Sequence, residues 1–186
     1  LMLLTLRGTP FLYYGEEIGM ADGPVPAERV VDVAGRDPER TPMQWDASPN
    51  AGFTTGEPWL PVAFEAASVN VAAQRDDPAS MLTLYRTLIA IRRASPALRA
   101  GAYATVPIAS ADVFAYRRDG GGESWLVVLN FGDAPGRVSL DAVGLTGTLR
   151  FATDPSRPLD VAVDGVVELA ADEGILVELI EAEPTG

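Results

Sequence analysis

The sequence predicts a chain of mixed α and β structure (α+β), in which a short α/β-type segment precedes an antiparallel β-sandwich. Three observations lead to this fold class. A helix end, a tight turn and an apolar run follow one another in residues 1–15, an amphipathic helix covers residues 78–94, and short β-branched runs recur after Gly101. Helix, turn and buried strand in succession are typical of an α/β unit, whereas closely spaced strands with Gly and Asp turns are typical of a sandwich.

The α/β-type segment opens with apolar residues. Residues 1–7 have the composition of a buried helix end, which Gly8 and Pro10 stop. The aromatic run at residues 11–14 predicts a strand near residues 10–15, apolar on both faces like a strand of a parallel sheet. Because residues 1–6 lack the basic stretch and the cleavage site of a signal peptide, we expect the chain to begin inside a structural element and the protein to be cytoplasmic.

A long loop and a helix complete the first part of the chain. Residues 16–77 contain seven prolines and little periodicity, which predicts a long loop of the kind that usually serves a function. Asp77 and Pro78 are a favourable N-cap and first helical residue, so that a helix is predicted near residues 78–94. The domain boundary is predicted near Ala100, between domains 1–100 and 101–186.

Composition excludes several classes of function. The 186 residues carry a net charge of −12, and they include neither cysteine nor histidine. An acidic surface repels phosphate groups and anionic lipids, so we expect binding neither to nucleic acid nor to membranes. Disulfides, thiolate sites and histidine-ligated metals are excluded, and we predict no cofactor and no metal.

The first candidate site is the carboxylate pair Glu16 and Glu17, which follows the predicted strand. Active sites of α/β barrels lie at this end of the strands, and retaining glycosidases use two carboxylates about 5 Å apart. Neighbouring residues of a strand point to opposite faces, however, so this pair is not expected to act on one glycosidic bond. We predict that one carboxylate orders the loop by accepting backbone N–H bonds and that the other pairs with an arginine.

The second candidate is the stretch GRDPERTPMQWD, residues 35–46. Its arginines can clamp a carboxylate or donate to sugar hydroxyls, and its tryptophan offers a face for a pyranose ring. A rigid loop with local ion pairs explains most of the same residues.

Two blocks of sequence resemble one enzyme family. GTPFLYYGEEIGM (residues 8–20) is similar to the eighth-strand segment of oligo-1,6-glucosidases and α-glucosidases of the α-amylase superfamily, glycoside hydrolase family thirteen. GRDPERTPMQWD and NAGFTTGEPW (residues 50–59) resemble the loop that follows in the same subfamily, and the resemblance extends over residues 1 to about 100. It implies the last strand and helix of a (β/α)8 barrel, followed by the antiparallel sandwich that the family calls domain C.

The resemblance also implies a function and one site residue. The family's nucleophilic Asp, its acid/base Glu and a third Asp all precede the eighth strand, so the resemblance assigns no catalytic residue to this chain. The arginine before Thr-Pro-Met-Gln-Trp, here Arg40, is implied to bind the non-reducing-end glucose, while Arg36 and Asp37 brace the loop. The expected partners are α-glucosides such as maltose or isomaltose-type oligosaccharides.

Three functions are compatible with this reading. The first is the C-terminal part of a retaining, exo-acting α-glucosidase that is inactive as an isolated fragment. The second is a transglycosylase of the trehalose or isomaltulose synthase type, and the third is a non-catalytic carbohydrate-binding or scaffolding relative. An isolated fragment would also expose the apolar surface and the unpaired edge of residues 1–20. We therefore expect those residues either to be disordered or to pair with a second copy.

Overall fold

The computed structural model describes residues 1–180, which form two compact units. The first, called here the β unit, contains Leu1–Pro10 and the chain from Leu88 onward, and the second, the loop unit, is Phe11–Thr87. The predicted boundary near Ala100 therefore differs from the observed division, because residues 1–10 and the second half of a helix pack with the sheet. The last six residues of the predicted domain 101–186 lie outside the described residues.

The described residues form four α-helices, six 3-10 turns and eight strands. The helices are α1 (Met2–Thr5), α2 (Val71–Gln74), α3 (Met81–Ala94) and α4 (Pro96–Ala100). The 3-10 turns are Glu16–Ile18, Ala27–Arg29, Asp37–Arg40, Pro49–Gly52, Phe64–Ala67 and Asp141–Val143. The strands are β1 (Ala102–Val106), β2 (Val113–Gly120), β3 (Glu123–Asn130), β4 (Gly136–Ser139), β5 (Gly147–Ala152), β6 (Ala162–Val163), β7 (Val166–Leu169) and β8 (Gly174–Leu179).

The β unit contains two antiparallel sheets that share one core. Strands β1, β2, β3, β8, β5 and β6 form the larger sheet in that spatial order, and β4 pairs with β7 in the smaller one. Alternate residues of the strands face a common apolar cluster, which takes Leu126, Val128 and Val177 from the larger sheet and Val138 and Leu169 from the smaller one. The predicted antiparallel structure is confirmed.

The opposite face of the larger sheet is covered by helical segments of the same unit. Tyr116, Arg118 and Trp125 lie on this face, and all three are buried. Arg118 donates to the carbonyls of Thr5 (2.5 Å), Gly101 (3.2 Å) and Ala102 (3.3 Å). These carbonyls lie at or just beyond the C-terminal ends of α1 and α4, where helical hydrogen bonding leaves oxygens unpaired.

A second buried arginine holds the same N-terminal segment. Arg92 of α3 donates to the carbonyls of Leu4 (2.9 Å), Leu6 (3.4 Å) and Gly8 (2.7 Å). Within residues 1–180 neither Arg92 nor Arg118 forms an ion pair with a carboxylate. Backbone oxygens of residues 1–8 and of the α4 C-terminus therefore take the place of anionic partners.

The loop unit contains no strand among its described residues, so the predicted strand near residues 10–15 is wrong. Residues 9–14 are irregular up to a turn closed by the Glu16 N–H and the Tyr13 carbonyl at 3.3 Å, and Phe11 is 84% exposed. A parallel strand needs a neighbouring strand to pair its backbone groups, and every strand pair of the described chain is antiparallel and lies beyond residue 100. The apolar composition of this run is therefore not sufficient to form a strand here.

Helix α3 begins later than the sequence predicted. The carboxylate of Asp77 accepts a hydrogen bond from the Ala79 N–H at 2.8 Å, which closes a turn ahead of the helix. Ser80 then accepts from the Thr83 N–H at 3.2 Å and acts as the N-cap. The helix starts at Met81 instead of residue 78 because residues 77–80 form a separate turn, in which the Ser80 N–H donates to the Asp77 carbonyl at 3.2 Å.

Candidate functional site

The candidate site lies in the loop unit, where two bends bring residues 32–40 together. Gly35 adopts a left-handed conformation (φ 75°), and its N–H donates to the Asp32 carbonyl at 2.9 Å. The 3-10 turn Asp37–Arg40 follows directly, with Pro38 fixing its second residue. Arg36 and Arg40 thereby reach the same carboxylate, that of Asp32.

Asp32 is the centre of this charged cluster. Its Oδ2 lies 2.5 Å from Arg36 Nε and 3.1 Å from Arg40 Nη1, and its Oδ1 accepts from the Ala34 N–H at 3.0 Å. The hydrogen bond from Arg36, followed by that from Ala34, holds the pKa of Asp32 well below its usual range. Asp32 is therefore ionised at neutral pH and fixes both guanidinium groups.

Asp37 supplies a second, buried carboxylate to the cluster. Its Oδ2 accepts hydrogen bonds from the N–H groups of Val31 (2.7 Å) and Asp32 (2.9 Å). Its Oδ1 has no hydrogen-bond partner among residues 1–180 and lies 3.9 Å from Arg40 Nη1. A buried carboxylate oxygen without a partner is unusual in a folded protein, because burial removes the water that would solvate it. Asp37 is only 1% exposed, so in this conformation its carboxylate supports Arg40 and the loop and is closed to a ligand.

The guanidinium of Arg40 is held by two aspartates through one of its three nitrogens. Its Nη1 faces both aspartates, while its Nε and Nη2 make no hydrogen bond within the described part of the chain, and the side chain is 36% exposed. Arg36, at 56%, is more exposed and pairs with Asp32 through two nitrogens. The cluster thus presents guanidinium donors that carboxylates hold in place, and such donors can bind hydroxyls of a neutral sugar.

The structure agrees with part of what the sequence predicted for this region and adds two features that the prediction did not include. Arg36 and Asp37 brace the loop as predicted, through Asp32 and through backbone N–H groups. The sequence reasoning missed both Asp32 as the shared partner and the unpaired oxygen of Asp37. The available signal was the spacing of acids and arginines over residues 32–40, which lets several side chains meet after two bends.

The pair Glu16 and Glu17 lies elsewhere in the loop unit. Both residues belong to a 3-10 turn, so the predicted strand geometry does not apply to them. Glu17 orders the turn by accepting the Gly15 N–H at 2.8 Å, as expected for one member of the pair. The expected pairing of the other with an arginine is not observed within residues 1–180. Burial, and then the charges of Glu16 and Glu17, raise the pKa of Tyr85.

Two further findings concern the described residues only. No group of three or more acidic side chains within residues 1–180 is arranged to hold a metal ion. None of the helices in this part of the chain is long and apolar enough to cross a membrane.

Comparison with known proteins identifies relatives over most of the chain. Residues 1–101 match the family model for the α-amylase catalytic domain. Over 70% of its length the chain is 38% identical to glucan 1,6-alpha-glucosidase of Streptococcus pneumoniae, and over 81% it is 38% identical to the trehalose synthase/amylase TreS of Mycobacterium tuberculosis. The chain covers 29% and 27% of those proteins.

Solved structures of related enzymes also resemble this chain. The trehalulose synthase MutB of Pseudomonas mesoacidophila MX-45 superimposes with a TM-score of 0.85 and 34% sequence identity, over 96% of this chain and 37% of MutB. Variants of MutB have been solved in complex with glucose and with its substrate sucrose.

Proposed function

Because the chain belongs to the α-amylase family, as its first 101 residues match that family's catalytic domain, we propose that it is the C-terminal part of a retaining, exo-acting α-glucosidase. The full protein would hydrolyse the α-glucosidic bonds of small oligosaccharides such as maltose or isomaltose. Two observations support this proposal: a glucosidase relative is 38% identical to the chain, and the chain covers less than a third of the length of its curated relatives. In this proposal the chain ends with the family's domain C, a β-sandwich built from the two sheets of the β unit.

The cluster of Asp32, Asp37 and Arg40 is the observation that carries the proposal. Arg40 would donate to a hydroxyl of the non-reducing-end glucose, and the buried Asp37 carboxylate would support the guanidinium from the protein side. Asp32 would keep the guanidinium oriented in the absence of substrate. A fixed polar contact of this kind suits an exo-acting enzyme, which binds the end of its substrate.

The chemistry itself would need carboxylates from the remainder of the catalytic domain. In a retaining glycosidase one carboxylate attacks the anomeric carbon while a second protonates the leaving oxygen and then activates water. We assign neither role to this chain and expect the purified 186-residue protein to be inactive. Measurable hydrolysis of 4-nitrophenyl α-glucoside by that protein, above a mock purification, would contradict this assignment.

The substrate-binding role is tested in the full-length enzyme. Arg40→Ala and Asp37→Asn should each lower kcat/KM at least about tenfold, which corresponds to about 1.4 kcal/mol of lost transition-state binding. Arg29→Ala is the matched control, because Arg29 also forms an exposed ion pair in the loop unit, with Glu57, but lies outside the cluster. Arg36→Ala is the competing variant: a loss confined to Arg36→Ala would assign the contact to Arg36 and refute the role of Arg40.

A second candidate function is transglycosylation of the trehalose or isomaltulose synthase type. It is favoured by TreS, whose identity equals that of the glucosidase relative, and by the superposition with MutB. Product analysis separates the two candidates: a hydrolase releases glucose from maltose and isomaltose, whereas a synthase returns an isomeric disaccharide from maltose or sucrose. Dominant isomer formation would refute the hydrolase proposal and leave the family unchanged.

A further inference from the structure

Residues 48–55 of the loop unit form a curled loop with an unusual backbone. Asn50, Ala51 and Gly52 are three consecutive left-handed residues, with φ angles of 57°, 53° and 67°. Glycine adopts this conformation readily and asparagine tolerates it, but for alanine it is strained by contact between Cβ and the backbone. Strained backbone of this kind persists where surrounding contacts impose it, and it is concentrated at functional sites.

The curl is held in shape by hydrogen bonds among its own residues and their neighbours. The Ala51 carbonyl accepts from the N–H groups of Trp45 (2.9 Å) and Asp46 (3.3 Å), and Asn50 Nδ2 donates to the carbonyls of Thr54 (3.2 Å) and Gly56 (2.9 Å). A Cβ added at Gly52 would lie 2.7 Å from Asp46 Oδ2, so this carboxylate fills the inner side. The loop is therefore preorganised from within.

The same loop borders an open concavity whose lining is uncharged. The concavity has a volume of about 690 Å³ and is lined by Ser48, Pro49, Asn50, Gly52, Phe53, Thr54 and Thr55. Phe53 is 48% exposed. The lining thus combines one accessible aromatic ring with hydroxyl groups, and it includes no acidic or basic side chain.

We propose that this concavity binds a neutral glucosyl unit, at a site separate from the Arg40 cluster. The ring of Phe53 would cover the apolar C–H face of the sugar, and the Thr55 hydroxyl would exchange hydrogen bonds with its hydroxyls. The Ser48 hydroxyl already donates to Asp46 and the Thr54 hydroxyl already accepts from the Gly56 N–H, so Ser48 would only accept from the sugar and Thr54 would only donate to it. An anion is disfavoured, because no basic side chain lines the site and the Asp46 carboxylate lies behind it. The choice of a glucoside rests on the proposed function, whereas the neutral, hydroxylated character of the ligand follows from the lining.

The proposal is tested by titrating the ¹⁵N-labelled 186-residue chain with maltose and following its amide resonances. Saturable shifts are expected for residues 48–55. Phe53→Ala should weaken the binding at least about fivefold, since a face-on aromatic contact contributes about 1 kcal/mol. Thr55→Val, which removes a hydroxyl without touching the hydrogen bonds inside the curl, should weaken it as well. Phe64→Ala is the matched control, because Phe64 is 86% exposed in the same unit and lies outside the concavity.

Three results would overturn the proposal: no saturable shift with maltose, equal weakening by Phe64→Ala, or a response of residues 48–55 to inorganic phosphate instead of maltose. Arg40→Ala separates this site from the proposed substrate site. Retained shifts at residues 48–55 in that variant support a second, independent site, even if Arg40 proves unimportant for catalysis. Their loss in Arg40→Ala would show that the concavity does not bind sugar on its own.

Discussion

Replacing Arg118 tests how the N-terminal segment is held in the β unit. Arg118 is fully buried and donates to three carbonyls, those of Thr5, Gly101 and Ala102. Arg118→Met keeps most of the side-chain volume and removes all three donors, whereas Arg118→Ala also leaves a cavity. The two variants therefore separate the hydrogen bonds from the packing.

The expected magnitude follows from these contacts. Each hydrogen bond to a charged donor contributes about 1.5–3 kcal/mol, so three bonds contribute a gross total of roughly 4.5–9 kcal/mol. Desolvation of the guanidinium offsets several kcal/mol of that sum, and it also lowers the pKa of Arg118. We expect a net loss of about 2–4 kcal/mol in the free energy of unfolding for Arg118→Met, and about 1–2 kcal/mol more for Arg118→Ala from the cavity.

The assay follows urea unfolding of the β unit through the fluorescence of Trp125. Trp45 and Trp59 are half-exposed in the loop unit, so both are changed to Phe in the background used for every variant. Arg117→Ala is the matched control on the same strand, because Arg117 is partly exposed and, within the described residues, its one ion pair is with Asp119. That control should lose no more than about 1 kcal/mol.

Two results would refute the reasoning about Arg118. A loss below about 1 kcal/mol in Arg118→Met would mean that the three hydrogen bonds only compensate for desolvation. A loss in Arg117→Ala as large as that in Arg118→Met would mean that any arginine on β2 has the same effect, whatever its burial.

Three further predictions follow from named contacts. Burial raises the pKa of Tyr116 to about 12, so this tyrosine should ionise about two pH units above a free one (pKa about 10). The stability that it contributes should be complete below about pH 10 and should be lost as the pH rises through about 12. Ultraviolet titration of a Tyr116→Phe variant against the parent checks this. Hydrogen bonds from Arg36 and Ala34 lower the pKa of Asp32. The stability that this carboxylate contributes should therefore be complete above its unfolded pKa of about 4 and be lost as the pH falls through the lower folded pKa. Amide resonances of residues 32–40 that change between pH 7 and pH 5 would contradict this. Residues 11–14 are exposed and apolar, and we propose that the 186-residue chain self-associates through them. Sedimentation velocity should show a concentration-dependent dimer that Phe11→Ser weakens. Phe64→Ser should not weaken it, although the Phe64 side chain is about equally exposed.

The patterning of the sequence was sufficient for the sheets and for the long helix. Alternating or β-branched runs at residues 113–118, 125–130, 137–140, 148–151, 166–169 and 175–180 predict strands. Strands β2, β3, β4, β5, β7 and β8 lie within a few residues of these runs, because such runs between Gly and Asp turns permit few other conformations. Strand β1 was missed, since most of its residues are exposed and its hydrogen bonds to β2, not its composition, keep it extended.

Family membership and the stretch that carries Arg40 could likewise be identified from residues 8–59 alone, because long motifs of Gly, Pro, Arg and Trp rarely recur by chance. What the side chains of that stretch do was decided by the tertiary structure. Only after two bends do Arg36 and Arg40 meet at Asp32, and only then is one oxygen of Asp37 buried without a hydrogen-bond partner in the described part of the chain.

The N-terminal segment shows most clearly which features the sequence determined and which the tertiary structure decided. Its sequence determined that residues 1–15 are apolar and are interrupted by Gly8 and Pro10. The tertiary structure decided that residues 1–8 belong to the β unit, because Arg92 and Arg118, more than 80 residues further along the chain, donate to their carbonyls. It also decided that residues 11–14 form no strand. An apolar run can bury its side chains in many conformations, but a strand requires hydrogen-bonding partners for its backbone, and those come from elsewhere in a fold.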